Sequence, residues 1–290
     1  MGIQVQRQVH SPDIGSRRGP LEQRRGPVSS HASFSGSVPE SYDRYLGPAL
    51  FEPYALDLVA RLPSGGTRVL ELACGTGRVT RHLRAALPGS ATLVATDLNE
   101  PMLVHARAAV PDGGITWRQA DAQALPFEDA SFDVVVCQFG LMFLPDKVQG
   151  LREVRRVLAP GGVFIATVWE SIAEHPHARS IEAVLIELFP DDPPRFLDSP
   201  HGYHDGERIR ADYEAAGWET LSIESLRFTG RSASAREIAV GFASGSPLTH
   251  ELAERGADPA DVAERITGAL GGDTPYELEL AALVITATRR

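Results

Sequence analysis

Residues 69–83, VLELACGTGRVTRHL, carry a carboxylate at Glu71 and small residues at Ala73, Gly75 and Gly77. A hydrophobic run ends at the carboxylate, and a helical pattern begins after the second glycine. Glycine at such a corner lets the backbone bend sharply and approach a ligand closely. The helix that follows aims the positive end of its dipole at whatever negative charge the ligand bears. A second carboxylate, Asp97, lies 20 residues beyond Gly77, a spacing that suits a group holding ribose hydroxyls. The chemistry on offer is that of a nucleotide-like ligand. The glycines alone do not choose the nucleotide: a dinucleotide site wants G-x-G-x-x-G, and Thr80 stands where the third glycine belongs.

The elements that must position these residues alternate regularly. Strand patterns at TRVLEL, ATLVATDL, ITWRQADA, SFDVVVCQF and GVFIATVW are separated by helical patterns such as RVTRHLRAAL, EPMLVHARAAV and DKVQGLREVRRVL, the last closed by Pro160-Gly161-Gly162. WETLSIESLRF and ELELAALVITATRR add two late strands. Alternation of this kind predicts an α/β fold, a doubly wound and mostly parallel seven-stranded sheet with helical cap and lid insertions. In such a sheet the ligand sits beyond the carboxyl ends of the strands, where strand order reverses.

The predicted division is a disordered or flexible leader over 1–37, a helical cap over 38–60, a ligand-binding core over 61–170, and a lid with the last two strands over 171–290. The leader is rich in Arg, Ser, Gly and Pro and lacks the apolar segment of a secretory signal. The cap reads as two short helices interrupted at Gly47-Pro48 and Pro53, and two further helices are expected within roughly 233–270.

Composition narrows the function. The chain has 290 residues and a net charge of −10, which argues against nucleic acid as a partner. No apolar run reaches the roughly 18 residues of a membrane span. Of 28 basic residues only Lys147 is a lysine, a preference that reads as coding bias rather than phosphate binding. Cys74 and Cys137 are the only cysteines, which fits a reducing cytoplasm and argues against structural zinc.

Glu71 ahead of Ala73, Gly75 and Gly77 is similar to the E/D-x-G-x-G-x-G signature of class I S-adenosylmethionine-dependent methyltransferases, with alanine at the first glycine. DLNEPMLVHAR resembles that family's second motif, ADAQALPFEDASFDVVVCQFGLMFLPD its third and fourth, and LREVRRVLAPGGVFIATVW its fifth. The variant looks like the broad group that includes ubiquinone, menaquinone and natural-product enzymes. The resemblance implies S-adenosylmethionine as cofactor. Glu71, Ala73, Gly75 and Gly77 would shape the methionine pocket, and Asp97 would take the ribose diol. Met102 would pack on the adenine, Leu98 would also contact the cofactor, Asp121 and the Ala122 amide would meet the adenine edge, and Gln138 would lie near the methionine end. Alanine at 73 keeps the turn small but is expected to forgo positive φ.

Methyl transfer is a direct displacement, so the protein supplies alignment, exclusion of water and at times a base. Glu170, directly after the fifth strand, is the candidate general base, with His175 and His204 as further acid–base candidates. His175, His177, His201 and His204 fall within a 30-residue span. With Arg179 and Arg195, His177 and His201 could bind an anionic acceptor such as a carboxylate or an isoprenoid diphosphate. Mg²⁺ would be needed only for a diphosphate, with Asp191 and Asp192 as weak candidates. Tyr42, Tyr45, Phe51 and Tyr54 are expected to close over the site, and Phe139, Leu141, Met142 and Phe143 to wall an apolar acceptor chamber. The predicted function is methyl transfer to a small, partly hydrophobic molecule, by carbon methylation or by oxygen or nitrogen methylation. A homo-oligomer is left open. Two alternatives stand beside this: a cyclase-type protein that binds the cofactor without transfer, and an NAD(P)-dependent oxidoreductase.

Overall fold

The computed structural model describes residues 6–8, 38–111 and 113–290. Its strands are β1 (Gln6–Gln8), β2 (Arg68–Leu72), β3 (Thr92–Asp97), β4 (Ile115–Gln119), β5 (Phe132–Gln138), β6 (Leu158–Trp169), β7 (Thr220–Ser232) and β8 (Tyr276–Thr288). They form one sheet in the order β1-β7-β8-β6-β5-β2-β3-β4. The seven expected strands are all present. β1 is an additional three-residue edge, antiparallel to β7; the rest of the leader reading lies outside the described residues.

β2 through β6 pair in parallel, and β8 runs against its neighbours β6 and β7, as the short edge β1 does against β7. The apolar runs explain this. Val69 and Leu70 of β2, Val135 and Val136 of β5, and Phe164 and Ile165 of β6 are completely buried, as strands covered on both faces must be. From β2 the chain steps outward to β3 and β4, then returns to place β5 on the other side of β2. The crevice at that reversal opens beyond the ends of β2 and β5, which is where Ala73–Gly77 and Gln138–Phe139 emerge.

The core helices are α3 (Arg78–Ala86), α4 (Glu100–Ala109) and α5 (Lys147–Val157). Their starts follow from sequence: Pro101 occupies the first turn of α4, and the Asp146 side chain caps α5 by accepting from the Gln149 N–H at 2.9 Å. Pro160-Gly161-Gly162 does not close α5 as expected. α5 ends at Val157, and β6 already begins at Leu158 with an irregular register opposite Phe132 and Val134.

The cap also differs from expectation. α1 (Val38–Ser41), a wide π-helical segment (Tyr42–Phe51) and α2 (Glu52–Ala60) follow without interruption. Pro48 lies inside the wide segment, where a widened turn tolerates a residue without an N–H better than a regular helix does. Gly47 leaves room for the Arg78 guanidinium, which a Cβ there would approach to 2.2 Å and force to move. The lid comprises α6 (Pro176–Leu188), α7 (Gly206–Ala215), α8 (Ala235–Gly245), α9 (Leu248–Glu254) and α10 (Pro259–Ala269). Three helices, not two, fill 233–270. The split falls at Ser246-Pro247, where the Ser246 hydroxyl accepts from the Leu248 N–H at 3.2 Å. α8 packs on the 42–51 segment and on α10, joining lid to cap.

Candidate active site

The turn after β2 is strained and open. Ala73 takes φ +50°, correcting the expectation that alanine would forgo the left-handed region, and Gly75 and Gly77 follow at +55° and +82°. A Cβ on Gly75 would meet nothing within 4 Å, so that side of the turn faces free space. Asp97, buried at the end of β3, fastens the turn: one carboxylate oxygen accepts from the Gly75 N–H at 2.9 Å, the other from the Asn99 N–H at 2.8 Å. The Asn99 side-chain amide also donates to the second oxygen at 3.4 Å, so the oxygen facing Gly75 is the one that keeps a lone pair for a further donor. Burial pushes the Asp97 carboxyl above its usual range, opposed by these N–H donors.

Glu71 lies beneath the turn, 2% exposed, accepting from the Thr80 hydroxyl at 2.6 Å. Burial, with the Asp97 charge adding, pushes its pKa up to about 8. Gln138, the last residue of β5, donates its amide to the Phe51 carbonyl at 3.2 Å, while its buried Oε1 has no partner among the described residues. Met102 is buried and Leu98 exposed at the rim. Asp121 accepts from the Gln123 N–H at 2.8 Å, and Ala122 stays half-buried beside it. An unpartnered buried acceptor, an open glycine and a carboxylate with a spare lone pair fit a ligand bearing an ammonium group and a diol, which is the donor set of S-adenosylmethionine.

The cap is latched onto this turn by residues the sequence reading did not single out. Asp43 accepts from Thr76 Oγ1 at 3.0 Å and from Arg78 Nη2 at 2.7 Å, and Arg78 Nη1 reaches Glu52 at 2.6 Å. Burial works to raise the Asp43 pKa, but Arg78, Thr76 and Arg81 outweigh it and hold the carboxyl below its ordinary value. Asp43 and Glu52 sit among apolar cap residues as unremarkable surface acids. Only the placement of α3 reveals them.

Beside the turn, a cavity of about 610 Å³ of empty space, counting its mouth, opens between cap, sheet and lid. Tyr42, Leu46, Leu50 and Phe51 line it from the cap, and Phe139, Met142, Phe143 and Trp169 from the sheet ends. His175, His177, Phe196, Leu197, Pro200, His201, Phe242 and Ser246 come from the lid. Phe139 adopts φ +53°, unusual for a bulky residue, and its ring stacks on Trp169 with centroids 3.8 Å apart. Tyr42 stacks on Phe51 at 5.0 Å. Burial raises the Tyr42 pKa, so its phenol stays protonated; the Asp97 and Arg78 charges both act on it, so it lies between turn and cavity.

Several expected site residues fall elsewhere. Glu170 is not part of the cavity wall: its carboxylate accepts the Ser225 hydroxyl on β7, because the strand turns its side chain toward that neighbour. His204 is exposed, bonded through Nδ1 to the His201 carbonyl at 2.7 Å. Arg179 is exposed on α6, and Arg195 is paired with Asp198 three residues along. Tyr45 stays half-buried, with the Arg44 guanidinium over its ring at 5.1 Å, and does not reach the cavity. Tyr54 and Leu141 pack in the core. Asp192 pairs with Arg255 while 80% exposed, and no group of three potential metal ligands occurs among the described residues. Arg179 and Arg195 were singled out for an anionic acceptor, but no Arg or Lys lines the cavity. Burial pushes His177 down to about 3 and His201 to about 4, so both are neutral at pH 7. The anionic-acceptor expectation therefore loses its cations.

Comparison with known proteins bears on the cofactor. Residues 70–166 match a family model described as a methyltransferase domain. The ubiquinone/menaquinone biosynthesis C-methyltransferase UbiE of Yersinia enterocolitica is 30% identical over 175 residues, covering 56% of this chain and 70% of that protein. Among solved structures, YcgJ from Bacillus subtilis superposes with a TM-score of 0.53 at 17% identity, over 82% of this chain and 99% of that one. Phosphoethanolamine N-methyltransferase 2 of Haemonchus contortus, in complex with S-adenosylhomocysteine, gives 0.56 at 16% identity, over 87% of this chain and 57% of its own. The two structural likenesses establish the fold.

Proposed function

The chain belongs to the class I S-adenosylmethionine-dependent methyltransferases, and from that premise we propose that it methylates a small, neutral, largely apolar molecule held in the aromatic cavity. When bound, the cofactor supplies an electrophilic methyl group on a sulfonium. Asp97 would hold the ribose diol, Gly75 and Gly77 would let the backbone approach, and Gln138 Oε1 would receive the ammonium end. Leu98 and Met102 would enclose the adenine, with Asp121 and the Ala122 amide at its edge. Glu71, held by Thr80, props the turn from below.

The observation that carries the acceptor class is the wall itself. Phe51, Phe139, Phe143 and Trp169 form a desolvated chamber at the strand ends, and its histidines are neutral. Such a wall excludes water from the reacting atoms and disfavours a diphosphate, whose charge would be buried without a partner. Glu170, committed to Ser225, is not proposed as the base. Among the described residues no helix is long and apolar enough to cross a membrane. Cys74 and Cys137 are both unpaired and buried, which supports a reducing, cytoplasmic setting.

The test is transfer of labelled methyl from S-adenosylmethionine to a panel of neutral aromatic acceptors and to geranyl diphosphate. Label in the neutral products is expected. Label on the diphosphate alone would overturn the acceptor class. Tight cofactor binding with no consumption across the panel would favour the cyclase-type reading instead.

A further inference from the structure

The polar atoms on the cavity wall are few, and most are already spent. Ser246 donates its hydroxyl to the Phe242 carbonyl at 2.6 Å and accepts from the Leu248 N–H. His175 uses both ring nitrogens: Nδ1 meets the Ser171 carbonyl at 3.0 Å, and Nε2 accepts from the Ala281 N–H at 3.3 Å. A carbonyl can only accept, so His175 carries its proton on Nδ1, and its ring is a fixed wall. His177 has no partner on Nδ1 to choose its tautomer.

His201 differs from both. Its Nδ1 lies 2.9 Å from the Glu170 carbonyl oxygen, so that nitrogen must hold the proton. Nε2, on the opposite edge of the ring, is then an obligate acceptor, and it bonds to no described residue. The ring lines the cavity beside His175, with centroids 4.6 Å apart. The anchoring carbonyl belongs to the residue directly after β6, whose own N–H donates to the Ala281 carbonyl at 3.0 Å, so the imidazole is held on the rigid end of the sheet. Burial, helped by His175, keeps the ring neutral.

We propose that His201 Nε2 is the specificity-determining acceptor of this cavity, selecting flat, uncharged acceptors that present one hydroxyl to it. The proposal rests on the methyltransferase reading and adds the chemistry of the acceptor. A hydroxyl satisfies Nε2 and leaves the rest of the molecule to the aromatic wall. A carboxylate offers no proton to Nε2 and brings a charge with no cation to meet it. An ether of the same shape fits the wall but cannot donate.

The experiment uses the full chain saturated with S-adenosylhomocysteine, with 1-naphthol, 1-methoxynaphthalene and 1-naphthoate as calorimetric probes. 1-Naphthol is expected to bind about 10-fold tighter than either other probe, the worth of one hydrogen bond to a cavity-facing acceptor that no protein group satisfies. In ¹⁵N imidazole spectra, His201 is expected to be protonated at Nδ1, with its Nε2 resonance moving when 1-naphthol is added. His201→Phe should abolish the preference for the naphthol over its ether. His201→Gln, whose amide oxygen reaches about as far as Nε2, should retain part of it. Equal affinity for naphthol and ether in the unmodified protein, tight binding of naphthoate, or no probe binding to the loaded protein would each overturn the proposal. Failure to take up S-adenosylhomocysteine is a separate outcome, and it overturns the methyltransferase reading together with this one.

Discussion

Replacing Glu71 with glutamine isolates the electrostatic cost of the carboxylate beneath the turn. The side chain is 2% exposed, and its pKa rises to about 8 from an ordinary value near 4.5. The sign follows from linkage: the folded state holds a proton that the unfolded chain releases above about pH 4.5, so stability is full below that pH and is lost as pH rises toward 8. Integrating between those two values gives about 3 kcal/mol lost between pH 5 and pH 8, on the order of 6–10 °C in melting temperature for a chain of this size. Glutamine keeps an oxygen to accept the Thr80 hydroxyl at nearly the same place and cannot ionise. The assay is thermal unfolding of the ligand-free protein at pH 5, 6.5 and 8 for both forms. The difference between the two curves should grow with pH in favour of Glu71→Gln. Parallel curves would refute the reasoning, since they would mean that Glu71 ionises in the folded protein as it does in water.

Other substitutions probe neighbouring parts of the account. Ala73→Gly should stabilise by about 0.5 kcal/mol, because relief of a φ of +50° exceeds the added chain entropy; calorimetry showing a loss would contradict strain at the turn. Asp43→Ala should destabilise by about 2 kcal/mol, since it strips Arg78 and Thr76 of a half-buried partner, and should speed dissociation of S-adenosylhomocysteine in stopped flow. Below pH 6.5 the unfolded chain takes up protons that His177 and His201 refuse until about pH 3 and about pH 4. Stability therefore falls with falling pH, by about 1.4 kcal/mol per unit for each histidine, and His177→Phe should flatten that slope by one histidine's share in urea titrations between pH 6 and 4.5.

The strands were legible because a parallel sheet buried on both faces demands near-continuous apolar runs, and Val134–Cys137 and Phe164–Trp169, broken only by Thr167, supply them. The cofactor turn was legible because few other uses exist for a carboxylate, small residues and a second carboxylate at those spacings. Side-chain direction was not. Glu170 reads as a base at a strand end, yet its orientation is set by Ser225, a residue 55 positions away that becomes a neighbour only once β7 is placed. The left-handed Ala73 is similarly non-local: its Cβ packs against Gly140, where any added Cβ would sit 2.4 Å away. The cavity's outer wall, from Phe196 and Leu197 to Phe242, was present as apolar residues in helical patterns. Nothing local distinguishes such residues facing a chamber from residues packed in a core. The histidine cluster was visible as a density of residues, and the carbonyls of Ser171 and Glu170 were needed to sort its members into wall and acceptor.

Calorimetric titration of S-adenosylhomocysteine into the folded protein and into Asp97→Asn tests the central claim most directly. One site per chain is expected in the unmodified protein, with affinity falling about 100-fold in the variant as two charge-assisted hydrogen bonds weaken by about 1.5 kcal/mol each. Absence of binding to the unmodified protein, or equal binding to both forms, would contradict the account.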